Sequence, residues 1–312
     1  MFKNQIPNHD LKNYYEWIID KSMVEVIKGV KEIQEKYKII GRTEELTKII
    51  LAHSIGKNIL IEGEVGVGKT TLANAVSSYF DAKFYRIDCS EETLTHNLIG
   101  YFDPPLVIAK GYIEESYVYG PLASAMKNGG CLFINEINRM PESTQNVLLT
   151  ALDEKLLEIP KLKTIRANRD FFVIATLNPS AHVGVTVLGE ALKDRFIWIK
   201  LDYQTPEEEI EIIKQEVDFN SEKENQIPVL AQEIIQTTRN ITSIRRGSSI
   251  RGAIDLSGLM TQYEQKNSTK NWIDAAIMAL YNKIELEDGI SKTKIEIITD
   301  VVLAVLNKSD FQ

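Results

Sequence analysis

KNILIEGEVGVGKTTLANAVSSY, residues 57–79, joins three pieces without a gap. Asn58 to Ile61 is a short apolar run with the length and residue types of a buried strand. Gly63-Glu64-Val65-Gly66-Val67-Gly68-Lys69-Thr70 fits G-x-x-x-x-G-K-[ST], and Thr71 follows it. Leu72, Ala75, Val76 and Tyr79 then recur at the spacing of a helix that packs one face. Strand, glycine loop and helix form the setting a phosphate-binding loop requires. Glycines let successive backbone N–H groups turn inward on phosphate oxygens at the positive end of the helix. Lys69 would reach the β- and γ-phosphates as a point charge, and the Thr70 hydroxyl would ligate Mg2+. A glycine turn that happens to spell the pattern is the bland alternative, and the flanks argue against it.

Outward from this loop, a chain of 312 residues suggests two domains, and 44% hydrophobic residues supply ample core. The net charge of -8 does not mark the whole chain as nucleic-acid binding. Cys89 and Cys131 sit in apolar runs that read as strands, which suits reduced core thiols. The four histidines lack metal-ligand spacing, so no zinc-type centre is expected. No run reaches the ~18 apolar residues of a membrane span, and a cytoplasmic protein is expected.

Residues 11–38 read as one or two amphipathic helices, with Tyr15, Ile18, Ile19, Met23, Val26, Ile27, Val30 and Ile33 on one stripe. Residues 44–54 resume as helix before the loop strand. Further strands are expected at 83–88, 131–134, 171–175 and 196–199. Residues 98–120 read as an inserted hairpin with β-rich pieces at 106–108, 112–113 and 117–119, and 155–170 as a second, basic one. Helices are expected from Pro121 and with Pro141 in a first turn. The fold class is therefore α/β: a doubly wound, parallel five-stranded sheet followed by an α-helical lid. The expected divisions are a helical segment 1–38, a nucleotide domain 39–204 and a lid 205–312. The lid opens on Thr205-Pro206-Glu207-Glu208-Glu209 as cap, proline and first-turn acids. Its first helix would bury Ile210, Ile213 and Val217 and leave its acidic face in water.

Four later positions could act on a phosphate held by the loop. The strand ending in Asn135-Glu136 can bring an acid to the γ-phosphate, where Glu136 would orient the attacking water. A metal-holding Asp is usual one position earlier, and here that position is Asn135. Asn178, in Ala175-Thr176-Leu177-Asn178-Pro179, offers a neutral amide at another strand end, although an Asn before Pro is also ordinary turn chemistry. Arg195, in ALKDRF, could serve as an arginine finger or simply pair with Asp194 or Glu190. Arg251, in GSSIR, opens a helix of the second domain, where a solvated arginine is the alternative.

The ordered set GEVGVGKT, CLFINEINRMPESTQ, ATLNP, ALKDRF and GSSIR resembles the MoxR family of AAA+ ATPases over about residues 39–256. The resemblance implies ATP and Mg2+ as cofactors, bound between the α/β domain and the lid at a subunit boundary. It places Gly63 to Thr70 at Walker A, Asn135 and Glu136 at Walker B, and Asn178 at sensor 1. Arg195 becomes the finger acting on a neighbouring subunit, Arg251 sensor 2, and Ile40-Gly41 part of the adenine pocket. It further implies a hexameric ring that remodels or matures protein partners, often ones with a von Willebrand factor A domain. Asn135 departs from the pattern, so ATP binding with slowed hydrolysis is expected.

Two other functions stay open from the sequence. Lys155, Lys161, Lys163, Arg166 and Arg169 on one hairpin, with Arg239, Arg245, Arg246 and Arg251 beyond, would suit a nucleic-acid motor. Asn135 alone would suit a nucleotide-gated scaffold with little turnover.

Overall fold

A computed structural model of the protein describes residues 8–179, 188–221 and 224–308, with 8–22 described as backbone only. The chain divides into two compact units, one of residues 1–63 with 68–201, the other of 64–67 with 202–312.

The first unit begins with one continuous helix, α1 (Asn8–Tyr37), which packs on α2 (Thr43–Ser54). Val26, Val30 and Ile33 are buried, whereas Ile27 is 50% exposed and leaves the expected stripe. Tyr15, Ile18 and Ile19 lie outside the described side chains. The loop strand β1 (Asn58–Gly63) and loop helix α3 (Lys69–Tyr79) follow, then β2 (Phe84–Asp88). Cys89 is buried just beyond β2 rather than within it.

Next come α4 (Thr95–Ile99), β3 (Gly100–Phe102), α5 (Pro104–Lys110), β4 (Tyr117–Tyr119) and α6 (Pro121–Asn128). β3 and β4 do make an antiparallel hairpin, but Leu106 to Ile108 are helical, not extended. Local chemistry explains this. The Asp103 carboxylate caps the Leu106 N–H at 3.1 Å, two prolines fill the first turn, and Gly111 takes φ 82° at the far end. Three cap signals outweigh the β preference of a three-residue apolar run.

β5 (Gly130–Asn135) leads into α7 (Glu142–Asp153), for which Pro141 is the N-cap and not part of the first turn. The second hairpin, β6 (Leu156–Ile159) and β7 (Lys163–Arg166), is antiparallel. β8 (Phe171–Leu177), the short α8 (Glu190–Lys193) and β9 (Phe196–Leu201) complete this unit.

The central sheet is parallel throughout, in the order β2-β5-β8-β1-β9. Its inner strands are buried on both faces, as continuous apolar runs require when helices cover both sides. The register sets the site. Asp88 pairs with Asn135, Ile134 with Ala175, and Glu62 with Leu177, so β1, β5 and β8 end side by side. Ligands of open parallel sheets bind at such carboxyl ends, where the strand order switches.

The second unit holds α9 (Pro206–Glu216), α10 (Ile227–Asn240), β10 (Ile244–Arg246), α11 (Ile250–Met260), α12 (Thr269–Leu280), β11 (Glu285–Leu286) and α13 (Lys294–Lys308). It is helical, with one antiparallel pair, β10 and β11, that the sequence did not signal. Its core is built by side chains such as Ile213, Leu230, Leu256, Trp272 and Val302. Thr205 and Glu208 form the expected capping box. Of the expected buried face, Ile213 is fully buried while Ile210 and Val217 are half-buried. Glu209 is 2% exposed, contrary to a wholly solvated acidic face. Its carboxylate accepts from Arg239 at 2.9 and 3.0 Å and from Gln232 at 3.2 Å, so the charge is buried as a pair.

Candidate functional site

The glycine loop takes the backbone its composition allows. Gly66 and Gly68 sit at φ 85° and 92°, left-handed values that a side chain would strain, and α3 begins at Lys69 directly after Gly68. Val67 is buried and Val65 is 40% exposed. Thr70 is half-buried, and Thr71 is exposed on the first turn.

Lys69 is buried at 8% exposure, which is unusual for a lysine. Its ammonium donates to the Gly63 carbonyl at 2.6 Å and to Asn178 Oδ1 at 2.8 Å. Asn178, at 4% exposure, in turn donates through Nδ2 to Glu136 Oε1 at 2.8 Å. Lys69, Asn178 and Glu136, far apart in sequence, thus form one hydrogen-bonded chain across the ends of β1, β8 and β5.

Glu136 lies at φ 55°, a left-handed position that a non-glycine residue adopts at a cost and that clusters at functional sites. Three further contacts hold it. Its N–H donates to Thr176 Oγ1 at 3.0 Å, its carbonyl accepts from the Arg139 N–H at 2.9 Å, and its Oε2 pairs with Arg139 Nε at 2.7 Å. Asn138 Nδ2 donates to the Asn178 carbonyl at 3.1 Å and fixes that strand end.

Asn135 is engaged through both ends of its amide. Its Oδ1 accepts from Thr176 Oγ1 at 3.0 Å and its Nδ2 donates to Asp88 Oδ1 at 2.9 Å. Two hydrogen bonds from Arg86 and this one from Asn135 hold the Asp88 carboxyl below its ordinary pKa, the Arg86 contact contributing most. An aspartate at 135 would set two carboxylates in contact, so the amide is the residue that this neighbour accommodates.

Arg195 does pair with Asp194, at 3.1 Å, but its main partner is Asp153, through Nε at 2.7 Å and Nη2 at 2.8 Å. Arg251 is exposed in the first turn of α11. Ile40 and Gly41 are half-buried, and the Gly41 carbonyl accepts from Gln34 Nε2 at 2.6 Å.

The basic hairpin is partly neutralised. Glu114 accepts from Lys127 at 2.7 Å, from Lys163 at 2.6 Å and from the Tyr119 hydroxyl at 2.9 Å, which brings its carboxyl down to about 2. Lys161 lies 4.2 Å from the centre of the Tyr112 ring. The hairpin and the β3–β4 insert are therefore clasped together.

Arg139, Asp88, Thr176 and Asp153 escaped the sequence reading. Only Arg139 had a local signal, the three-residue spacing from Glu136 in NEINR. The others depend on strand register or on contacts across 40 or more positions.

A family model for the AAA domain, dynein-related subfamily, matches residues 58–196. The uncharacterized protein YojN of Bacillus subtilis is 34% identical over 213 residues, 67% of this chain and 69% of its own length. The uncharacterized protein SAUSA300_1302 of Staphylococcus aureus is 32% identical over 241 residues, 74% of this chain and 91% of its own. A solved structure from Cytophaga hutchinsonii, described as a candidate ATPase, shares the fold at TM-score 0.50 and 24% identity, covering 94% of this chain and 97% of its own. The matched span runs from the first residue of β1 to the first of β9 and takes in the glycine loop, Glu136, Asn178 and Arg195. With these relatives and this arrangement of strand ends, the chain belongs to the AAA+ family of ATPases, its domain being of the dynein-related type.

Proposed function

We infer that the protein is an ATPase of the MoxR type, which binds ATP with Mg2+ at subunit interfaces and spends its hydrolysis on remodelling protein partners. The observation that carries the ATPase part of the reading is the Lys69–Asn178–Glu136 chain at the ends of three adjacent strands, while the MoxR type and its partners rest on the motif resemblance. Family membership implies a nucleotide, usually with Mg2+, and the residues suit both. Gly66 and Gly68 take left-handed backbone ahead of α3, and the buried Lys69 ammonium is held on the Gly63 carbonyl and Asn178, where a phosphate could replace them. Thr70 and the nucleotide's own phosphates would hold the metal, with Asn135 beside them, since Mg2+ commonly binds through few protein groups. When bound, the metal neutralises phosphate charge.

The chain's own residues supply the rest. Lys69 exchanges the Gly63 carbonyl and Asn178 for phosphate oxygens, as a point charge does readily. Asn178, released on one side, turns its amide to the γ-phosphate and keeps the attacking water near Glu136. Glu136 orients that water and takes its proton, which is positioning chemistry more than covalent chemistry. Arg195 acts on the nucleotide of the neighbouring subunit, and Arg251 is assigned the sensor-2 contact by resemblance. Because Asn135 brings no charge, turnover is slow.

A hexameric ring and protein clients, those with a von Willebrand factor A domain among them, complete the proposal. AAA+ proteins commonly form rings, and no described helix is long and apolar enough to cross a membrane. A nucleic-acid motor is the weaker reading, because Lys161 and Lys163 are already engaged by Tyr112 and Glu114. Sedimentation of Glu136→Gln tests the assembly: a sixfold mass with ATP and Mg2+ is expected. A monomer at every nucleotide concentration contradicts the ring, and turnover stimulated by DNA at moderate salt would restore the motor.

A further inference from the structure

Arg195 is held in a way that a surface arginine needs no reason to be. Its Nε and Nη2 meet the two oxygens of Asp153 at 2.7 and 2.8 Å, the parallel two-bond geometry that fixes a guanidinium in plane as well as in place. A third bond, at 3.1 Å, runs from Nη1 to Asp194. Both partners stand on rigid footing. Asp153 is the last residue of α7, whose Leu148, Ala151 and Leu152 are buried, and Arg195 lies between buried Leu192 and Phe196.

The side chains of Arg195 and Asp153 are 31% and 39% exposed, and exposed pairs of this kind return little stability. What the fork does supply is order, since a free arginine carries several rotatable bonds that must be frozen whenever it engages a charge. The guanidinium also stays fully charged, its pKa raised mainly by the bond to Asp153.

We propose that Asp153 is a positioning residue for hydrolysis in the neighbouring subunit: it pre-orients Arg195 so that the guanidinium meets the next subunit's γ-phosphate without a search. The proposal rests on the reading of Arg195 as acting in trans, and the two can fail separately.

The test uses the full chain as Asp153→Ala, Asp153→Asn, Asp153→Glu, Arg195→Ala and Glu136→Gln. Asp153→Ala and Asp153→Asn should lower kcat by about 10- to 100-fold, the usual consequence of misplacing a reacting group by about an ångström. KM for ATP and the ATP dissociation constant should stay within about twofold, because the chain's own nucleotide is not what Asp153 serves. Asp153→Glu should recover part of kcat. Mixing then separates a trans role from a structural one. Asp153→Ala keeps its own Glu136, while Glu136→Gln keeps an intact Asp153–Arg195 pair. A random equal mixture should therefore regain about a quarter of wild-type turnover, the share of head-to-tail interfaces that combine the two intact halves. Arg195→Ala mixed with Glu136→Gln is the control. Unchanged kcat in Asp153→Ala overturns the proposal, as does lost activity that mixing fails to restore while the Arg195 control is restored. If the control also stays inactive, the trans reading of Arg195 falls and takes the proposal with it. If Asp153→Ala does not fold, Asp153→Asn carries the same mixing test.

Discussion

At Asn135 an amide stands where the resemblance places a metal-holding carboxylate, and the strand beside it offers a reason the exchange is tolerated. Asp88, its register partner, accepts a hydrogen bond that a carboxylate could not give. Asn135→Asp should raise the Mg2+ dependence of ATP binding and turnover by about tenfold. Adding Asp88→Asn should raise it further, because the two carboxylates would otherwise compete for one proton. Metal titration of ATP binding reads both steps, and equal values for all three chains would contradict the account. Lys69→Ala should weaken ATP binding by roughly 10- to 100-fold, the scale of a lost charged hydrogen bond, with calorimetry as the check. Glu136, Asn178 and Lys69 could each be picked out of the sequence because motif spacing is local. Their hydrogen-bonded connection could not, and neither could Thr176 and Asp88, since sheet register is set by packing between segments remote in the chain.

Among the elements, the three inner strands were legible because strands buried on both faces are written as unbroken apolar runs, and the edge strand β2 by its alternation. The insert was not. Val107 and Ile108 prefer strands by type, yet Asp103, two prolines and Gly111 cap a helix around them. Asp103→Ala should cost that helix about 1 kcal/mol and loosen it, read by faster amide exchange at Leu106 and Val107. The clasp between insert and basic hairpin has a pH signature. Glu114 titrates at about 2 when folded against an ordinary 4.5, chiefly through its hydrogen bonds to Lys127 and Lys163. A depressed carboxyl gives stability that is present above its unfolded value and lost as pH falls through the folded one. Exchange protection at Lys163 to Arg166 should therefore be full above about pH 4.5 and decline toward pH 2. Glu114→Gln should lower protection and flatten this dependence, and a profile unchanged from wild type would remove the clasp.

Over the whole molecule, the alternation of five parallel strands with helices followed from the sequence, as did the mainly helical character of the second unit. The buried Glu209–Arg239 pair did not, because an acid in a first helical turn looks the same whether or not a distant arginine covers it. The chain's family fixes an AAA+ domain. That it also turns over ATP rests on Glu136 being the group that commits a bound nucleotide to water. The decisive measurement is steady-state phosphate release from ATP and Mg2+ by wild type and Glu136→Gln, beside calorimetric ATP affinity for both. Slow release by wild type, with release abolished and affinity kept in Glu136→Gln, is the predicted result. Equal release from the two proteins would contradict the assignment of the hydrolytic site.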